Sequence, residues 1–202
     1  MPKQKFYVVW EGRQPGIYRT WADCEAQVKG ISKARFKAFE RAAEAEAAFK
    51  AGYETWRQGT IRFTLPPEVI AKSVSVDAAC DGSPGNLEYR GVDTASGREL
   101  FRVGPLPNGT NNLGEFLAIV HALARLQKQN RSIPIYSDSR TALSWVRRRR
   151  IGSKLPRQAD TDEVWSLADR ALAWLDNNNY PNPLLEWDTK KWGEIRADFG
   201  RK

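Results

Sequence analysis

Four carboxylates occupy places where a folded chain can gather them: Asp77, Glu115, Asp138 and Asp198. Asp77 closes the stretch Lys72-Ser73-Val74-Ser75-Val76, and Asp138 closes Ile133-Pro134-Ile135-Tyr136-Ser137. Each therefore leaves the end of a strand, where a side chain is held rigidly and can face a cleft. Glu115 falls in the first turn of a helix, and Asp198 lies in the C-terminal segment. Carboxylates suit Mg²⁺, which keeps several waters and borrows phosphate oxygens as further ligands. Two divalent ions about 3.5–4 Å apart stabilise both the attacking and the leaving oxygen of an in-line displacement at a phosphodiester. Without cations, such acids repel and raise one another's pKa. Any one of them alone also fits a helix cap or a solvated surface, and periodicity does not show that the four converge.

The elements that must position them alternate between strand and helix. Val74 and Val76 alternate with Ser73 and Ser75 as strand residues do, and Asp81-Gly82-Ser83-Pro84-Gly85-Asn86 turns the chain back. Glu88-Tyr89-Arg90-Gly91-Val92 and Glu99-Leu100-Phe101-Arg102-Val103 are two more strands around a polar turn, which completes an antiparallel meander. Behind Thr110-Asn111-Asn112, the residues Phe116, Ile119, Val120, Leu123 and Leu126 recur at helical spacing. Ser139 caps a helix from Arg140, and Thr161 caps another with the stripe Val164, Leu167, Ala168, Ala171, Leu172 and Leu175. Leu184-Leu185-Glu186-Trp187 is a last strand.

A chain of 202 residues with 41% hydrophobic content has room for a real core and for one large domain, or a medium one plus a small one. No apolar run approaches the ~20 residues of a membrane span, and Met1-Pro2-Lys3-Gln4-Lys5 lacks the apolar core of a signal peptide. Cys24 and Cys80, far apart in sequence, suit a reducing compartment. The expectation is a cytoplasmic location, no membrane contact and no obligate protein partner. A net charge of +8 suits a polyanion. Residues 1–60 carry 11 Lys/Arg against 7 Asp/Glu and the other 142 carry 21 against 17, so the first segment is the more basic per residue.

That first segment reads as a separate unit over residues 1–50. Phe6-Tyr7-Val8-Val9-Trp10, Ile17-Tyr18 and Ala34-Arg35-Phe36-Lys37-Ala38-Phe39 are strands. Thr20 caps a helix near Trp21 that stops at Gly30, and Glu40 to Lys50 is a second helix. The expectation is a three-stranded sheet with both helices on one face. An aromatic face built from Trp21 and Phe36 can pack on deoxyribose, with Lys29, Lys33, Arg35 and Lys37 reaching phosphates. The same residues also fit ordinary core aromatics beside solvated lysines. Residues 51–72 are expected to be a linker, with Ile61-Arg62-Phe63-Thr64-Leu65 extended and Pro66-Pro67 ending it.

Gly16-Ile17-Tyr18, Thr20-Trp21-Ala22-Asp23-Cys24, Val28-Lys29-Gly30 and Ala34-Arg35-Phe36-Lys37 with Phe39 resemble the hybrid-binding domain found in many ribonucleases H and in viroplasmin. The resemblance implies that Trp21, Phe36 and Lys37 contact an RNA–DNA hybrid, with double-stranded RNA as a second ligand of this domain. Ala38 stands where many members carry another lysine. Residues 73–202 resemble ribonuclease H type 1 through three motifs in order: Val76-Asp77-Ala78-Ala79-Cys80-Asp81-Gly82, Thr110-Asn111-Asn112-Leu113-Gly114-Glu115 and Tyr136-Ser137-Asp138-Ser139. This second resemblance implies a mixed five-stranded sheet flanked by helices. It also implies metal-dependent endonucleolytic hydrolysis of the RNA strand of RNA–DNA hybrids, leaving 5′-phosphate and 3′-hydroxyl ends.

By the same resemblance Asp77, Glu115 and Asp138 hold two Mg²⁺ ions, with Mn²⁺ as an alternative. Cys80, Asn111 and Asn112 contact the RNA strand. Asp198 is the choice for the fourth ligand, with Glu194 and Asp188 as rivals, because the family's His-containing loop is replaced by Trp187-Asp188-Thr189-Lys190-Lys191-Trp192-Gly193-Glu194. The only histidine, His121, lies mid-helix and is expected to be structural. Lys190 and Lys191 are the candidates to stand in for the missing histidine in product release. Arg147-Arg148-Arg149-Arg150 falls where some members carry a basic protrusion, so Arg147 and Arg148 are expected to bind the DNA strand's phosphates. A solvated helix end is the other reading of that run.

Overall fold

The computed structural model describes residues 5–57 and 65–199 and divides the chain into two units, Met1–Pro66 and Pro67–Lys202. In the first, β1 (Phe6–Glu11) is the middle strand, paired antiparallel with β2 (Gly16–Tyr18) and β3 (Arg35–Phe39). Helix α1 (Trp21–Val28) starts at Thr20, whose hydroxyl accepts from the Asp23 N–H at 3.1 Å. Helix α2 (Ala42–Ala51) follows β3.

The helices do not share one face, as the sequence suggested. Successive side chains of a strand point to opposite faces. Val9 packs with Cys24 and Val28 of α1, whereas Val8 and Trp10 pack with Ala45 and Ala48 of α2. With apolar residues at three consecutive positions, both faces of β1 need cover, so the sheet is sandwiched. The stretch expected to be a linker is also partly ordered. Helix α3 (Tyr53–Arg57) brings Tyr53 and Trp56 onto the first unit's core, where Trp56 stacks on Trp10 at 4.9 Å. At the far end of that stretch Val69 is buried in the second unit, and the Ile70 N–H donates to the Tyr136 hydroxyl at 3.1 Å. Positions 61–64 of the extended segment expected there lie outside the described residues.

The second unit is a five-stranded sheet in the order β6-β5-β4-β7-β8. β4 (Val74–Cys80), β5 (Gly85–Asp93) and β6 (Glu99–Gly109) form the antiparallel meander. β7 (Ile135–Ser137) and β8 (Leu184–Glu186) add in parallel beside β4. The helices are α4 (Asn111–Lys128), α5 (Arg140–Arg148), α6 (Asp162–Asn177) and the single turn α7 (Thr189–Trp192). Val74, Val76 and Ala78 join Leu87 and Tyr89 in a core with Phe116, Ile119 and Leu123 of α4. By alternation, Ser75, Asp77, Glu88 and Arg90 point to the opposite face.

Two expectations need correction here. Asp77 does not end its strand, because β4 pairs with β5 as far as Cys80↔Leu87. Thr161 does not cap α6 with its side chain; its hydroxyl donates to the Pro156 carbonyl at 2.7 Å instead. His121 stacks on Phe101 at 4.1 Å, a packing role. Among the described residues no helix is long and apolar enough to cross a membrane.

Gly114 lets α4 lie close to the sheet. A Cβ there would run into Leu87 and lie 2.8 Å from the Ala78 Cβ. Gly114→Ala should therefore destabilise the second unit by about 1–3 kcal/mol, read as a lower midpoint in denaturant, even though alanine is the better helix former.

Candidate active site

β7 pairs with β4 only at Val74↔Ile135 and Ser75↔Tyr136. Beyond Ser75 that edge of β4 has no β7 partner, which leaves a notch at the carboxyl ends of two parallel strands, the usual place for a ligand in an open sheet. Asp77 enters it from β4, and Asp138 follows the last residue of β7. Glu115 enters from α4, as its fifth residue and not in the first turn, because the helix already begins at Asn111 behind the cap position Thr110. One carboxylate oxygen from each of Asp77, Glu115 and Asp138 lies within 4.8 Å of the others.

Asp77 is 7% exposed and Glu115 3%. Among the described residues no lysine or arginine comes within ion-pairing distance of either. Burial, then the neighbouring charges of Asp138 and Asp198, push the Asp77 carboxyl up to about 7, against the pull of its hydrogen bonds to Glu115 and Ala78. Burial and the charges of Asp77 and Asp138 push Glu115 well above the usual carboxylate range. The Ser137 hydroxyl donates to Glu115 Oε2 at 3.5 Å and the Asn111 amide to Oε1 at 3.4 Å. Ser137 was not among the residues singled out in the sequence; its place one residue before Asp138, at the end of a buried strand, was the available signal.

The other expected residues are more scattered. Asp198 does not join the three oxygens within that distance, though its charge reaches Asp77. Of its rivals, Asp188 caps α7 by accepting the Lys191 N–H at 3.1 Å, and Glu194 is half-buried. Lys190 is exposed, whereas Lys191 forms an ion pair with Glu68 at 2.6 Å. Cys80 ends β4 with its thiol on the Gly109 carbonyl at 3.4 Å, and Asn112 is exposed on the first turn of α4. Arg147 and Arg148 form the last turn of α5; Arg147 donates to the Leu184 carbonyl at 2.9 Å and Arg148 is exposed. In the first unit, Trp21 and Phe36 are 46% and 42% exposed with rings 5.9 Å apart, so they form a surface patch and not core. Lys37 follows Phe36 on β3.

Residues 5–49 match the family described as the ribonuclease H1 N-terminal domain. The resemblance is to ribonuclease H1. A ribonuclease H of Crithidia fasciculata is 29% identical over 185 residues, covering 61% of this chain and 37% of that protein. The chain thus spans little more than a third of that relative. Among solved structures, LC11-RNase H1 isolated from compost aligns with a TM-score of 0.39 at 18% identity, over 60% of this chain and 88% of that one. The RNase H1 of Halobacterium salinarum NRC-1 aligns with a TM-score of 0.37 at 15% identity, over 59% and 86%. The sheet order described above establishes the fold without them.

The raised carboxyls have a direct consequence for stability. Asp77 holds its proton more tightly when folded, so the associated stability is present in full below 3.8 and is lost as pH rises through about 7. In EDTA at pH 8, Asp77→Asn should exceed the wild type in unfolding free energy by on the order of 1–3 kcal/mol, read as a higher midpoint in denaturant. At pH 4 the gap should close, and Mg²⁺ at pH 8 should narrow it.

Proposed function

We propose that this chain is a metal-dependent endonuclease that hydrolyses the RNA strand of RNA–DNA hybrids and leaves 5′-phosphate and 3′-hydroxyl ends. The observation that carries the reading is the convergence of three carboxylates, two of them buried with no lysine or arginine among the described residues within ion-pairing distance. Such a donor set fits Mg²⁺, with Mn²⁺ as the alternative, and Asp77, Glu115 and Asp138 with Asp198 would hold a pair of ions. When bound, the ions neutralise charge at the scissile phosphate and activate water for in-line attack. The ribonuclease H names of the N-terminal family and of the curated relative support the choice of substrate.

The protein's own groups prepare that site. Ser137 and Asn111 hold the two oxygens of Glu115, so its carboxylate is oriented before any ligand arrives. The strand end at Cys80 and the side chains of Asn111 and Asn112 take the RNA strand. Arg147 and Arg148 take phosphates of the DNA strand. Trp21, Phe36 and Lys37 grip the hybrid through the first unit, for which double-stranded RNA is a second candidate ligand. Two linked surfaces raise occupancy on a duplex long enough to reach both.

Labelled hybrid incubated with Mg²⁺ should be cut in the RNA strand, with 3′-hydroxyl products; EDTA or Asp77→Asn should abolish cutting by a factor of about 10³ or more. Binding of hybrid without cleavage would overturn the reading. The double variant Trp21→Ala and Phe36→Ala should weaken binding to long hybrids by about tenfold while leaving short hybrids nearly unaffected. Equal losses on both lengths would remove the first unit from hybrid binding.

A further inference from the structure

Arg90 lies directly opposite Asp77 in the β4–β5 pairing, so the two side chains leave the same face of the sheet. This is the face away from α4, and the C-terminal segment covers it there. The Arg90 Nε donates to the Ala197 carbonyl at 2.7 Å and Nη2 to the Asp198 carbonyl at 2.6 Å. Its Nη1 lies 3.5 Å from a Glu99 carboxylate oxygen, and its guanidinium sits over the Phe199 ring at 4.7 Å. Arg102, the β6 neighbour of Arg90, reaches the same ring from 5.3 Å and pairs with Glu88 at 2.8 Å. Ala197 and Ile195 are buried beside this contact, at 0% and 3% exposed. A side chain more than 100 residues away in sequence thus holds two successive backbone carbonyls at the chain's end.

We infer that Arg90 is a positioning residue: it fixes the backbone that carries Asp198 to the strand that carries Asp77, and so sets where the fourth carboxylate stands relative to the other three. The inference rests on the reading above that Asp198 completes the acidic site. A rigid planar fork can serve two adjacent carbonyls and a carboxylate together, whereas a lysine ammonium presents no such fork. The Asp198 N–H donates to the Ile195 carbonyl at 2.9 Å, so the pinned segment is a closed turn whose amide reports whether the pin holds.

The test compares wild type, Arg90→Met and Arg90→Lys by hydrogen exchange, melting temperature, steady-state kinetics on a hybrid and Mg²⁺ titration. Amides of residues 195–199 should exchange about tenfold faster in both variants, and those of β4 and α4 should stay within about twofold of wild type. The kcat should fall about tenfold or more with KM within about twofold, and half-maximal activity should need more Mg²⁺. Adding Asp198→Asn to Arg90→Met should cost less than Asp198→Asn costs alone, because both changes act through one carboxylate. Unchanged exchange at 195–199 overturns the inference. So does faster exchange with wild-type kcat and Mg²⁺ dependence, which would make Arg90 structural only. If Arg90→Met does not fold, Arg90→Lys decides by the same readings. If the wild type cuts no hybrid, the functional reading falls, and the exchange data still decide whether Arg90 holds the segment.

Discussion

The second unit is built around a repulsion. Asp77, Glu115 and Asp138 bring like charges to within 4.8 Å of one another, and two of them are nearly out of water. Left ionised and unpaired, such a group would act to open the fold; the raised pKa values of Asp77 and Glu115 express that cost. What keeps the acids together is the apolar packing of β4 and α4 on the far side, where Val74, Val76 and Ala78 meet Phe116, Ile119 and Leu123. The site's stored unfavourable energy is thus held by a core that does not touch a ligand. A divalent cation would convert the same arrangement from a penalty into a binding site, which is why the burial of Asp77 and Glu115 says more than the number of acids.

The geometry of the notch follows from unequal strand lengths. β4 runs for seven residues and β7 for three, and they pair only at the beginning of β4. The longer strand therefore continues past its parallel neighbour, and Asp77 stands where backbone pairing on that side has ended. On the opposite edge β5 keeps pairing through Cys80, so Asp77 stays rigid although one side of it is open. Rigidity on one edge and access on the other is what a ligand-holding carboxylate needs.

Much of this was legible in the chain. The alternation of Val74 and Val76 with serines located β4, and the spacing of Phe116, Ile119, Leu123 and Leu126 located α4. Thr20 and Ser139 cap helices as their types suggest. The three acids of the notch were readable from their motifs, but their convergence was not, because it depends on which strands are neighbours. The placement of α1 and α2 was misjudged for a related reason: Val8, Val9 and Trp10 form a continuous apolar run, and only the folded sheet shows that it serves both faces. Where the strand ends was also misread. A polar residue after two valines looks like a terminus, yet backbone pairing continues through Asp77 because β5 supplies hydrogen-bond partners irrespective of side chain. The C-terminal segment was the least readable. Its backbone carbonyls are held by Arg90, and nothing local to residues 187–199 records a partner more than 100 positions earlier.

The first unit poses the opposite physical problem. Trp21 and Phe36 remain about half exposed and in contact with each other, while Phe39 on the same strand is buried. Trp56 and Tyr53 of α3 pack on Trp10 and the α2 face and leave this pair uncovered. An aromatic pair left in water forgoes on the order of 1–2 kcal/mol per ring of burial, a loss that isolated folding gives no reason to keep. The exposed pair suits a partner with flat or sugar-like apolar parts, whereas Arg35, its neighbour on β3, turns to the other face and pairs with Glu54 at 2.7 Å and Glu11 at 3.2 Å. On the function proposed above, the patch contributes affinity without orienting a reacting atom, and the acidic notch orients one. The proposed function thus assigns gripping to the first unit and cutting to the second.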